Sequence, residues 1–220
     1  MKTIENEIAD AGSPVRTVYE SQDEILKGIK ELHCPEGFEC DLTFGNGSFW
    51  KKLNRPLICY DISPQKKGVV EADSRMLPLK AETLRNVVYD PPFLTYIKRG
   101  RKHGEGKVAM AARFGGYYTY DELLDDYRDT ISEAYRVLAP GGHLVMKCQD
   151  IVHNHKLECT HYRSIMMAEI EGFRLKDLFV LPAKHRMPSP QKGIQRHARI
   201  WHCYFLVFCK PGRMANGDNQ

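Results

Sequence analysis

Phe38-Glu-Cys-Asp41-Leu-Thr-Phe44-Gly45-Asn-Gly47-Ser48 carries apolar residues at 38, 40, 42 and 44 and closes on two glycines one residue apart. It reads as a short strand over 38–44 that turns at once into a helix. Glycine at such a turn lets the backbone approach a ligand closely, and the following helix start adds amide donors. Working outward, strand-like and helix-like segments alternate. An amphipathic helix is expected over 21–32, with Ile25, Leu26, Ile29 and Leu32 on one face. Strands are expected over 56–60, 68–72 and 85–89. A long helix is expected over 120–138, stopped by Pro140-Gly141-Gly142. A strand over 143–148, a helix over 162–170 and strands over 173–181 and 201–210 complete the order. This alternation predicts an α/β fold with a mostly parallel sheet and helices on both faces. Between the last two strands lies a loop with no helical pattern, so the final strand is expected to return antiparallel.

Composition sets the bounds. The chain has 220 residues, 42% hydrophobic and 27% charged, enough for one core and too rich in apolar residues for a disordered chain. The longest clean apolar run, residues 203–209, is far too short to cross a bilayer, which needs about 18 residues. The polar, acidic start MKTIENEIADAG is unlike a signal peptide. These features predict a soluble cytoplasmic protein without a membrane partner. Seven cysteines with no CxxC pair fit reduced, mostly buried thiols and no zinc site. The scattered histidines lack the spacing of metal ligands, so no metal is expected. Residues 1–14 and 211–220 read as flexible ends around one domain over 15–210.

Acids gather in the first 24 residues, whereas cations concentrate in Lys98-Arg99-Gly-Arg101-Lys102-His103 and across 184–199. Both basic stretches fall in long loops, 94–119 and 182–200, and loops of that length in a compact domain are usually functional or mobile. The first loop interleaves Lys98, Arg99, Arg101, Lys102 and Arg113 with Tyr96, Phe114, Tyr117 and Tyr118. Cations beside aromatic rings suit a phosphate backbone and unstacked bases. Lys98, Arg99, Arg101, Lys102, Arg113 and Tyr117 are therefore the candidate substrate-binding residues.

Three acids close three successive strands: Asp41, Asp61 and Asp73. In doubly wound sheets ligands bind outside those strand ends, and an acid on the second strand accepts from ribose hydroxyls. A fourth strand ends in Asp90-Pro91-Pro92-Phe93. The prolines fix φ and remove two backbone donors, leaving a carboxylate and carbonyl oxygens beside an aromatic ring. That set suits a planar base bearing an NH2 group, held at its edge by acceptors and on its face by stacking.

In this order the glycine turn, Asp61, Asp73 and Asp90-Pro91-Pro92-Phe93 resemble the motifs of class I S-adenosylmethionine-dependent methyltransferases. More narrowly, they resemble the amino-methyltransferases acting on exocyclic nitrogens of nucleobases. Leu138-Ala-Pro-Gly-Gly-His-Leu-Val-Met146 is similar to the helix-turn-strand segment ahead of their fifth strand. The resemblance spans roughly residues 15 to 210. It implies a Rossmann-like seven-stranded sheet of order 3-2-1-4-5-7-6 with strand seven antiparallel. It implies S-adenosyl-L-methionine as cofactor, bound by Asp41, Phe44, Gly45, Gly47, Asp61 at the ribose and Asp73 at the adenine edge. Asp90, Pro91, Pro92 and Phe93 are the implied catalytic set. Asp ahead of the prolines favours adenine N6 over cytosine N4, and DNA is expected before RNA as the nucleic-acid partner. An RNA methyltransferase acting on adenine N6 or guanine N2 and a silent nucleic-acid-binding scaffold are the alternatives. No separate recognition domain is visible, so a recognition subunit or a homodimer completes the expected partners.

Overall fold

In a computed structural model of the protein, residues 14–96, 116–183 and 195–213 are described. Helix α1 (Gln22–Leu32) precedes strands β1 (Cys40–Asp41), β2 (Ile58–Asp61), β3 (Val70–Glu71) and β4 (Leu84–Tyr89). Helix α2 (Tyr120–Val137), strand β5 (Leu138–Cys148), a hairpin of β6 (Ile151–His153) and β7 (Lys156–Glu158), helix α3 (Thr160–Glu171), and strands β8 (Arg174–Pro182) and β9 (His202–Cys209) follow. Seven strands form one sheet in the order β3-β2-β1-β4-β5-β9-β8. β9 runs antiparallel to both neighbours, and the remaining pairs are parallel. With β8 and β9 counted as sixth and seventh of this sheet, the expected order and the antiparallel last strand are both present.

The central strands are apolar on both faces because helices cover both. Val145, Phe205 and Val207 pack with Ile25, Leu26 and Ile29 of α1 and with Trp50. Leu144, Met146, Leu206 and Phe208 point the other way, toward Leu123, Tyr127 and Ile131 of α2. The two-residue period of strands divides these side chains between the layers. Among the described residues no helix is long and apolar enough to cross a membrane.

Two local readings are corrected, besides the helix expected after the glycine turn, which is only a 3₁₀ turn at Ser48–Trp50. Pro140-Gly141-Gly142 does not stop the helix. The helix ends at Val137 and the chain enters β5 directly, so these residues lie inside the strand. A Cβ on Gly142 would come 2.7 Å from the Arg85 carbonyl, and Gly141 takes φ +81° while bonding Lys210 across the sheet. The glycines thus let β5 bulge against its neighbours. The second correction is the β6–β7 hairpin, which no strand-like run announced. Its turn is Asn154-His155, with φ +48° and +60°, and His153 faces Lys156 across it. Two successive left-handed residues make the turn that matches strand twist.

At the far end of the long first loop, Thr119 caps α2. Its hydroxyl accepts from Glu122 N at 3.1 Å, and Glu122 returns a carboxylate oxygen to Thr119 N. This reciprocal box fixes where the loop rejoins the fold.

A candidate active site at the carboxyl edge of the sheet

β1, β2, β4 and β5 all run the same way, so the residues that end them meet at one edge. A cleft of about 850 Å³ opens there. Its lining includes Gly45, Asp61, Asp73, Asp90, Pro91, Pro92, Phe93 and Tyr117, which the sequence had scattered over more than 70 positions.

The glycine turn builds one wall. Gly45 takes φ +56°, and a Cβ built there would find nothing within 4 Å, so the turn presents bare backbone to open space. Asp61 holds the turn in place: Oδ2 accepts from Gly45 N at 2.6 Å and Oδ1 from Ser63 N at 2.8 Å. Each oxygen retains a second lone pair. Ile62, largely exposed, and Pro64 add an apolar surface beside it. Asp73 lines the same cleft. Arg75 grips its carboxylate through Nε at 2.9 Å and a terminal nitrogen at 2.5 Å, and these bonds hold Asp73 below the usual carboxylate range. Open glycine backbone, an anionic acceptor and an apolar flank are what a ribose with an adjoining purine requires. These residues fit S-adenosylmethionine.

Three residues expected to touch the cofactor do not line the cleft. Asp41 is fully buried. Trp50 Nε1 donates to its Oδ2 at 2.6 Å and Thr43 N to its Oδ1 at 2.9 Å, so it ties the turn to the first residues after it from behind. Phe44 is buried as well, and its ring stands 3.0 Å from where a Gly47 Cβ would be. Gly47, at φ +77°, is glycine because the turn must fold over that ring. All three shape the cradle rather than its surface.

Burial pushes Asp41 up from its ordinary 3.8 to about 7, against the pull of the Trp50 and Thr43 hydrogen bonds. The sign of the consequence is fixed. Between those two values the folded state keeps a proton that the unfolded chain has released, so this contribution to stability is full at low pH and is lost as pH rises through about 7. Melting temperatures measured at about pH 5 and about pH 8 are expected to differ less in Asp41→Asn than in the wild type. An equal difference in both would assign the pH dependence elsewhere.

The opposite wall is the end of β4. Thr43 Oγ1 accepts from Asp90 N at 3.0 Å, and the Tyr127 hydroxyl donates to the Pro92 carbonyl at 3.1 Å. One residue from the glycine turn and one from α2 therefore clamp the Asp-Pro-Pro segment at both ends. Burial pushes the Asp90 carboxyl above its ordinary range, and the Lys147 ammonium, 3.6 Å from Oδ1, pulls it back. Lys147, the penultimate residue of β5, donates to Gln22 Oε1 at 2.9 Å and lies over the Phe49 and Phe205 rings at 5.5 and 5.6 Å. Gln22 in turn donates to the Phe49 carbonyl. Lys147 falls at the polar end of the strand expected over 143–148, whereas Gln22 carries no motif and is found only once α1 packs.

Tyr117 does line the cleft, but its hydroxyl donates inward to Asp126 Oδ2 at 2.7 Å, shared with Tyr89 at 3.2 Å. Arg75 links this group to Asp73, with Nε 3.6 Å from Asp126. The other candidate substrate residues, Lys98, Arg99, Arg101, Lys102 and Arg113, lie outside the described residues, as does most of the basic stretch after Ala183. Among the described residues no three His, Cys, Asp or Glu side chains gather as a metal would need.

This sheet order with this cleft defines the Rossmann-like methyltransferase fold. Residues 84–218, more than half the chain, match the N6/N4 methyltransferase model described as DNA methylase. The chain belongs to that DNA methylase family, whose cofactor is S-adenosylmethionine. Solved structures resemble the chain at low identity. The [4+2]-cyclase SpnF is 14% identical, with 86% of this chain and 82% of that one covered and a TM-score of 0.54. The N-methyltransferase NodS from Bradyrhizobium japonicum is 15% identical, with 86% and 96% covered and a TM-score of 0.50. TTHA0409 from Thermus thermophilus, complexed with S-adenosyl-L-methionine, is 20% identical over 67% of this chain, with a TM-score of 0.44. The chain spans 55% of the length of TTHA0409. No curated protein matches it in sequence.

Proposed function

We propose that residues 15–210 act as one domain that methylates the exocyclic N6 amine of adenine in DNA, using S-adenosylmethionine. The observation carrying this reading is that Asp90 and the glycine turn face one cleft, with Thr43 bridging them. Gly45, Asp61 and Asp73 hold the cofactor, the two carboxylates through ribose hydroxyls and the adenine edge. Asp41, Phe44 and Gly47 keep that cradle in shape. When bound, the cofactor supplies an electrophilic methyl group on a sulfonium.

Everything else falls to the protein. The adenine amine is a poor nucleophile because its lone pair is delocalised into the ring. Asp90 and the Pro91 carbonyl accept from its two N–H groups, which favours a more tetrahedral nitrogen with a localised lone pair. Phe93 stacks on the base, which must leave its duplex to arrive there. The gain comes from alignment and from an anion already in place as the nitrogen becomes positive. Asp90, bonded to one of those N–H groups, is placed to take the proton the methylated nitrogen sheds. Pro91 and Pro92 remove backbone donors that would compete with the amine.

Transfer of labelled methyl groups to duplex DNA, single-stranded DNA and RNA, followed by nucleoside analysis, tests this reading. N6-methyladenine in DNA is the expected product. Label in N4-methylcytosine alone, or in RNA alone, contradicts it.

A further inference from the structure

Three residues beyond Phe93, Tyr96 holds a left-handed backbone at φ +65°. A bulky side chain takes that conformation only where its surroundings impose it, and such residues gather at functional sites. The β6–β7 hairpin imposes it here. The Tyr96 hydroxyl donates to Asn154 Oδ1 at 2.8 Å and accepts from Asn154 N at 2.7 Å. Its ring stacks on His153, with centroids 4.6 Å apart and planes 18° from parallel. Thr95 Oγ1 lies 3.2 Å from His153 Nδ1. From the other side, Tyr118 O accepts from Tyr96 N and Leu94 O from Tyr117 N.

For all these contacts, Tyr96 is 54% exposed. The fold strains a residue and spends a hairpin to hold an aromatic ring in solvent, which adds nothing to the core. The hairpin also reaches a second segment. The His155 carbonyl, one residue past Asn154, lies 2.7 Å from His197 Nε2. Exposed Arg196 is adjacent to that histidine, and exposed Arg199 two residues beyond it. An ordered aromatic pair thus adjoins a cationic segment ahead of β9, next to the pocket assigned to the target base.

We propose that the Tyr96–His153 stack is a platform for the base neighbouring the flipped adenine, with Arg196 meeting its phosphate. The inference rests on the nucleic-acid reading above. Extruding a base leaves its neighbour unstacked on one side. A fixed ring restores that contact without regard to sequence, because every base has a π-face. Phosphate contacts in turn hold the strand in register.

Fluorescence anisotropy with a short labelled single-stranded DNA, and with RNA of the same sequence, tests the platform. Tyr96→Asn removes the ring while tolerating the left-handed backbone. It is expected to weaken binding about ten- to hundredfold, with the salt slope unchanged because no phosphate contact is lost. Tyr96→Phe keeps the ring and its stack on His153 but loses the two hydroxyl bonds to Asn154, so it is expected to fall between wild type and Tyr96→Asn. Arg196→Ala is expected to lower the salt slope by about one. Full affinity in Tyr96→Asn overturns the platform. Tyr96-dependent binding of RNA in place of DNA upholds the platform and moves the substrate. Wild-type protein that binds S-adenosylmethionine but neither strand overturns the nucleic-acid reading and the platform with it.

Discussion

Asp90→Asn lowers kcat about a thousandfold and leaves affinity for S-adenosylmethionine unchanged. The substitution keeps the shape of the side chain but replaces an anionic oxygen with an NH2 group. A donor then faces the N–H of the target amine where an acceptor stood, and no negative charge meets the nitrogen as it becomes positive. The effect falls on the chemical step because the contact strengthens as charge develops. Cofactor affinity is spared because Gly45, Asp61 and Ile62 hold the opposite side of the cleft. Folding is spared too, since the Asp90 backbone bond to Thr43 survives the change. Single-turnover kinetics and calorimetric titration of the cofactor separate the two. Loss of cofactor binding equal to the loss of rate would make Asp90 part of the cofactor site instead.

Lys147→Met is expected to cost about ten- to hundredfold in kcat/KM near neutral pH, with activity recovering as pH rises. Asp90 accepts from an amine N–H on both oxygens only when ionised. Burial works against that form, and Lys147 is the charge that partly offsets it. Asp41 stands nearby as a like charge when ionised. The acid limb of the pH profile therefore sits above the ordinary carboxylate range in the wild type, and removing the ammonium moves it higher. Methionine still fills the space over Phe49 and Phe205. A purely structural role for Lys147 would lower the rate equally at every pH. Lys147→Arg, which keeps the charge, is expected to return the limb to its wild-type position.

The parts of the site legible in the sequence are those where backbone chemistry forces a residue type. Gly45 and the two prolines after Asp90 mark strand ends because few other residues make those turns. Asp61 and Asp90 follow apolar runs so abruptly that the sheet edge is visible from spacing alone. What stayed hidden depends on packing between distant elements. Asp41 looked like a third cleft acid, yet Trp50, nine residues on, turns it inward. Tyr127 occupies an apolar position on the α2 face, and nothing in that periodicity tells that its hydroxyl reaches Pro92. The hairpin at 151–158 escaped because its turn is Asn-His. A glycine second in that turn would have announced it. His153 is one of the scattered histidines in the sequence, yet it is the surface on which Tyr96 lies.

The account stands most directly on where the target amine sits. A crystal structure with S-adenosylhomocysteine and an adenine-bearing DNA strand measures it. The amine nitrogen is predicted about 2.7 to 3.2 Å from the Asp90 carboxylate, with the cofactor sulfur between it and Gly45. A flipped base lodged away from Asp90, or a sulfur outside this cleft, would contradict the account.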